Sequence, residues 1–189
     1  MNARLNSRKF HRYLSLLISI QLLLWTVSGI YFSYNDITEV RGEHFLIEEV
    51  QPIKKKSNKI SFSQAKKIVS SKTYLEPYNV VEIVEEVAGS EYRKVNRLPL
   101  YKVEALSKDQ EEIDVYLDPF TEEILLIRSF KWRMWDLMWG FHIMDWNERD
   151  NMGNIFIKIF SILAFVSALS GVILFFMSRK RVVTSSKNL

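Results

Sequence analysis

Cysteine is absent from this 189-residue chain, which removes disulfides, thiolate metal sites, iron–sulfur clusters and cysteine nucleophiles together. Histidine is scarce: only His11, His44 and His142 occur, leaving little for a catalytic triad. No His-Glu-x-x-His zinc signature, Gly-x-Ser-x-Gly elbow or Gly-rich phosphate loop is present, so hydrolase and phosphotransfer readings find no support. A nicotinamide or flavin fingerprint is missing too, and any reductase role would need a separate electron donor.

Charge is the next absence. Residues 13–35 form a run of 23 without any, and residues 159–178 form another of 20. Each is long enough to cross about 30 Å of hydrocarbon as a helix. The first follows Arg4, Arg8, Lys9 and Arg12 as a secretory signal would. Its apolar core, 14–32, is longer than a leader's, and Gly29-Ile30-Tyr31-Phe32-Ser33-Tyr34 sets bulky aromatics where a signal peptidase wants small residues. It reads as an uncleaved signal anchor.

Acid is missing from both ends. Residues 1–12 hold four Lys/Arg, residues 179–189 hold Arg179, Lys180, Arg181 and Lys187, and residues 36–157 hold all 22 acidic side chains against 17 basic ones. Basic flanks mark the cytoplasmic side, so both termini are expected in the cytoplasm of a bacterial cell, with the middle across the inner membrane in the periplasm. The net charge of +4 is then a topology signal, and no nucleic-acid partner is expected. The organisation that follows is a cytoplasmic N-terminus (1–12), a first transmembrane helix (13–35), a periplasmic domain (36–129), a Trp-rich interfacial segment (130–154), a second transmembrane helix (155–178) and a cytoplasmic tail (179–189).

Within the middle segment, Lys54-Lys55-Lys56-Ser57-Asn58-Lys59 reads as a solvated connection. Phe62, Ala65, Ile68 and Val69 then share one face of a short helix with a Ser start suited to capping. Strands are predicted from Val80, Val81, Ile83, Val84 and Val87, from 100–105, from 113–117 and from 123–127, with a turn at Asp118-Pro119-Phe120-Thr121. Asp114, Asp118, Glu122 and Glu123 read as solvated carboxylates around that turn. One helix on a small antiparallel sheet is an α+β domain, inserted between two transmembrane α-helices. Trp132, Trp135, Trp139 and Trp146 are expected in the headgroup layer, where an indole keeps its N–H wet.

The runs Glu91-Tyr92-Arg93, Leu98-Pro99-Leu100-Tyr101-Lys102-Val103 and Val115-Tyr116-Leu117-Asp118-Pro119-Phe120-Thr121 resemble the core of a PepSY domain. Glu122 stands where that family usually has Gly, so the turn must close without the most permissive residue. Arg8-Lys9-Phe10-His11-Arg12 and Trp139-Gly140-Phe141-His142-Ile143-Met144-Asp145-Trp146 resemble the flanks of PepSY-associated transmembrane helices. Larger relatives look like inner-membrane ferric-siderophore reductases that hold b-type haem on helix histidines. Isolated PepSY domains are similar to inhibitory propeptide modules of thermolysin-like peptidases.

The resemblance implies haem b on His11 and His142, with an electron-transfer role in iron acquisition. The two residues lie on opposite sides of the membrane, about 30 Å apart, so one chain cannot clamp one haem between them. Each would pair with its counterpart in a homodimer, or with a larger complex. The alternative reading uses no cofactor: the helices anchor the domain, the domain binds a partner, and the histidines are interfacial. His44 has no companion and reads as a surface residue. Ser28 and Gly29 in the first helix, and Ala164, Ser167, Ala168 and Gly171 in the second, are expected to let helices approach closely, and Gln21 to bond a neighbouring helix.

Overall fold

The computed structural model describes residues 2–47 and 58–185. It places a four-stranded antiparallel sheet, with a helix on one face, between two long apolar helices. The chain runs α1 (Asn2–Tyr34), α2 (Ile37–Val40), a single 3-10 turn (Glu43–Phe45), α3 (Phe62–Lys72), β1 (Glu76–Ile83), β2 (Leu100–Leu106), β3 (Glu112–Leu117), β4 (Ile124–Arg128), α4 (Phe130–Ile143) and α5 (Ile155–Ser185). Most of the lysine run after Gln51 lies outside the described residues, as does Lys187. Lys59, at the end of that run, pairs with Glu82.

Helix α3 forms where the apolar spacing predicts it. The Ser61 hydroxyl accepts from the Gln64 amide and the Gln64 side chain accepts from the Ser61 amide at 2.8 Å, a reciprocal capping box. Ala65 and Val69 are fully buried against Val103, Ala105, Val115 and Leu117 of the sheet. Each valine or leucine among them contributes roughly 1.5–3 kcal/mol by leaving water. Between α2 and the 3-10 turn, Gly42 takes φ +76°, and a Cβ there would stand 2.7 Å from the Ile127 side chain. Only glycine lets the chain pass so close over the end of the sheet.

The strands lie in sequence order, so β1 and β4 are the edges. β1 begins earlier than the β-branched run suggests, because edge position leaves the missing N–H of Pro77 without consequence. It ends at Ile83; Val84 and Val87 are exposed in the following loop. The sheet's second face is partly polar, carrying Lys102, Glu104 and Asp114 beside Leu100 and Tyr116.

Helices α1 and α5 are long and apolar enough to cross a membrane, over Leu5–Tyr34 and Ile155–Met177. They pack antiparallel, with His11 beside Ser170 and Ser15 beside Ser167. This register sets the start of α5 level with about Val27, three-quarters of the way along α1. The C-terminal two turns of α1 therefore have no α5 alongside them, and α4 packs along this end of the helix.

Candidate functional site

The long helices set polar residues against neighbouring helices, His11 and Ser15 of α1 against α5 and Gln21 and Ser28 against α4, and leave large apolar ones outward. On α1, Ile18, Gln21 and Ser28 are buried, whereas Leu16, Leu17, Ile20 and Leu23 are exposed to the surroundings. This inverted pattern suits a lipid exterior, which asks for apolar groups outside and hydrogen-bonded ones within. His11 Nδ1 lies 2.7 Å from Ser170 Oγ, and Ser15 Oγ lies 2.8 Å from Ser167 Oγ. Gly171 makes room for the imidazole, since a Cβ at that position would stand 3.2 Å from His11 Cε1.

A second polar group forms where α4 meets α1. His142 Nδ1 lies 2.8 Å from Ser28 Oγ. Gln21 donates to the Phe141 carbonyl at 3.2 Å and Trp25 donates to the His142 carbonyl at 2.6 Å, while Asn154 donates to the Ile143 carbonyl at 2.8 Å. The last-turn carbonyls of α4, which have no intrahelical donors, are thus satisfied by side chains from α1 and from the linker. Trp135, Trp139 and His142 follow at helical spacing and stack nearly parallel, at 13° and 10°, with Phe32 of α1 against all three rings.

These placements correct the haem expectation and the electron-transfer function built on it. His11 and His142 belong to separate groups, each held by a serine of the adjacent helix. Among the described residues, no set of three or more His, Cys, Asp or Glu side chains is arranged to hold a metal ion. Trp132, Trp135 and Trp139 stay half-exposed and do not enclose a pocket around an imidazole. The physical reason is that a hydroxyl supplied from the neighbouring helix already meets the polar demand of each ring.

The remaining residues named from the sequence lie apart. His44 is exposed and rests on Phe45. Gly29 has nothing packed against it, Ala164 is half-buried and Ala168 is exposed. Trp146 is exposed beside Phe156, at the start of α5. The acidic turn is less solvated than its composition suggests. Asp118 is 7 % exposed and accepts from the Phe120 and Thr121 amides, and Asp114 pairs with Lys102 and Arg133.

What the sequence reading missed is the junction between the sheet and α4. Ser129 caps α4, accepting from the Trp132 amide. Arg133 then reaches Glu91 at 2.7 Å and Asp114 at 2.8 Å, and Asp136, 3 % exposed, receives both Arg93 and, at 2.9 Å, Arg149. Arg128, the last residue of β4, is 7 % exposed; its guanidinium lies 3.9 Å from the centre of the Trp132 ring and donates to the Glu91 carbonyl. Burial pulls the Arg128 pKa down to about 10. Burial likewise pushes Asp114 up, against the pull of Lys102 and Arg133. Two clues to this junction stand in the sequence: a charge ending the apolar strand Ile124-Leu125-Leu126-Ile127, and Arg133 with Asp136 set among tryptophans.

Beside this network opens a cavity of about 450 Å³. Its walls are β4, from Ile124 to Arg128, the segment around α2, and the Trp132, Trp135, Asp136 and Trp139 side of α4, with Glu91, Arg93 and Lys94 closing one end. No strand of this sheet pairs with the outer edge of β4. The arrangement offers apolar wall, aromatic wall, buried cations and a strand edge that, among the described residues, no strand pairs. It offers no pairing of nucleophile and base.

Neither a curated protein nor a solved structure matches the chain. The family model of the PepSY-associated TM region matches residues 8–188, so that the sheet, its helix and both long helices fall within one match, and the chain belongs to the PepSY-associated transmembrane family.

Proposed function

We propose that this protein is a non-enzymatic interaction module, held at the bacterial inner membrane by α1 and α5, whose periplasmic domain binds a partner protein. The observation that carries the reading is the cleft between β4 and α4. It opens where the domain joins the membrane helices, and it combines apolar surface with a strand edge left unpaired. The charge distribution supports cytoplasmic termini, since the basic ends flank two spans and all acid lies between them. The outward apolar faces of α1 and α5 meet lipid. Gly29 and Ala168, unused in packing α1 on α5, are the positions through which a second copy would approach in a homodimer.

The absence of cysteine makes the test direct. A photo-crosslinking residue at Leu125, in the cleft, is compared in native membranes with one at Tyr78, on the opposite sheet edge. A discrete adduct confined to position 125, and lost on Trp135→Ala, is expected. Equal adducts at both positions, or none at position 125, overturn the reading. A single cysteine at Lys108 should react with an impermeant maleimide added to spheroplasts; protection there until lysis overturns the orientation.

A further inference from the structure

We propose that the cleft receives an extended acidic peptide segment of the partner, which adds a fifth strand to the free edge of β4 and sets a carboxylate against Arg128. The inference rests on the partner-binding reading and specifies its chemistry. Ile124, Leu125, Leu126 and Ile127 all line the cavity; Leu125 is the extra residue of an irregularity between the pairs Ile124–Leu117 and Leu126–Tyr116, and Leu126 and Ile127 beyond it point to opposite faces. Leu126 and Ile127, from opposite faces, reach one cavity when it runs along the strand's edge, where backbone N–H and C=O groups are presented. That is the geometry of strand addition, in which main-chain bonds supply affinity and flanking pockets supply specificity.

Charge chooses the segment. The cavity is lined by four cations, Arg41, Arg93, Lys94 and Arg128, and three acids, Glu43, Glu91 and Asp136. The acids are committed: half-buried Glu91 to Arg133, buried Asp136 to Arg93 and Arg149, and exposed Glu43 to Arg41. Arg128 forms no ion pair among the described residues. Its buried guanidinium donates to backbone carbonyls and rests on the Trp132 ring, while Glu91 and Asp136 act on it without a direct pair. Arg93, also at the cavity wall, keeps a buried Nε–H without an acceptor. A buried cation without a directly bonded carboxylate is costly, and an incoming carboxylate would lower that cost with a charge-assisted hydrogen bond. The depressed Arg128 pKa agrees with a charge left under-compensated. A phospholipid phosphate offers similar charge but has no backbone to pair with β4.

The test pans a displayed library of random nonapeptides on the full chain in zwitterionic nanodiscs, with Arg128→Gln protein as the counter-selection. Enriched peptides are expected to be poor in proline and to carry a Glu or Asp amid β-branched residues. Replacing that acid by its amide should weaken binding about tenfold or more, and hydrogen exchange of the β4 amides should slow when peptide binds. Because the amide change is made in the peptide, the result does not depend on how well Arg128→Gln folds; Arg128→Lys should retain part of the affinity. Enrichment without acids, or no enrichment, overturns the proposal. Protection of β4 that appears only with phosphatidylglycerol in the nanodisc assigns the cleft to lipid phosphate and also overturns it. If the proposal fails while Leu125 still crosslinks a partner, the interaction reading stands without its acidic-strand chemistry.

Discussion

Glu122 shows how a single position carries both family likeness and local cost. It sits at φ +58° in the turn between β3 and β4, the left-handed region that a side chain enters at a cost of about 1–2 kcal/mol. Asp118 holds the turn by accepting from the amides of Phe120 and Thr121, and the Glu122 carbonyl accepts from Lys72 at 2.9 Å. The backbone is fixed from both sides, so the residue tolerates the strain without glycine. Glu122→Gly should therefore stabilise the protein by about 0.5–1 kcal/mol, the relief of strain being partly offset by the greater freedom of the unfolded chain. Thermal unfolding followed by circular dichroism measures this, and a lower melting temperature would contradict it. The departure from Gly was legible in the sequence; the compensating contacts were not, because Lys72 is brought there only by the packing of α3.

At the scale of elements, the pairing of α1 with α5 depends on small and polar residues. Gly171→Leu would place a branched side chain where even a Cβ stands 3.2 Å from the His11 ring. Overpacking of this kind costs about 1–3 kcal/mol and should separate His11 from Ser170 and Ser15 from Ser167. With no native cysteine present, a Ser15→Cys, Ser167→Cys pair should form an intramolecular disulfide in the parent and fail to do so beside Gly171→Leu; undiminished crosslinking would contradict the packing. Sequence patterning made most elements readable. Alternation marked β2 and β3, and Ser61 with Gln64 marked the start of α3. Helix α4 was less legible, because its tryptophans match a headgroup belt as well as they match a helix packed on α1. Its charges mean little until the loop carrying Glu91 and Arg93 folds back from forty residues earlier.

For the whole molecule, the two apolar runs were plain in the sequence, but their relative height was not. It is fixed by the side-chain pairs that join α1 to α5, and no one-dimensional pattern encodes those. With His11 level with Ser170, the basic residues Arg8 and Lys9 stand at the height of Val172 and Ile173, while the C-terminal end of α1 extends past the start of α5. The uncharged belt common to both helices, from the level of Tyr13 to that of Ile159, is thus only about 15 Å tall at 1.5 Å per residue, against about 30 Å for an average bilayer core. Such a mismatch is met by thinning the lipid, by tilt or by side chains snorkelling to the surface. The protein should unfold at higher temperature in short-chain than in long-chain phosphatidylcholine bilayers, and the reverse order would argue for a different helix register. In a cell, the same stagger would draw the protein toward the thinnest patches of its membrane and let it dimple thicker ones.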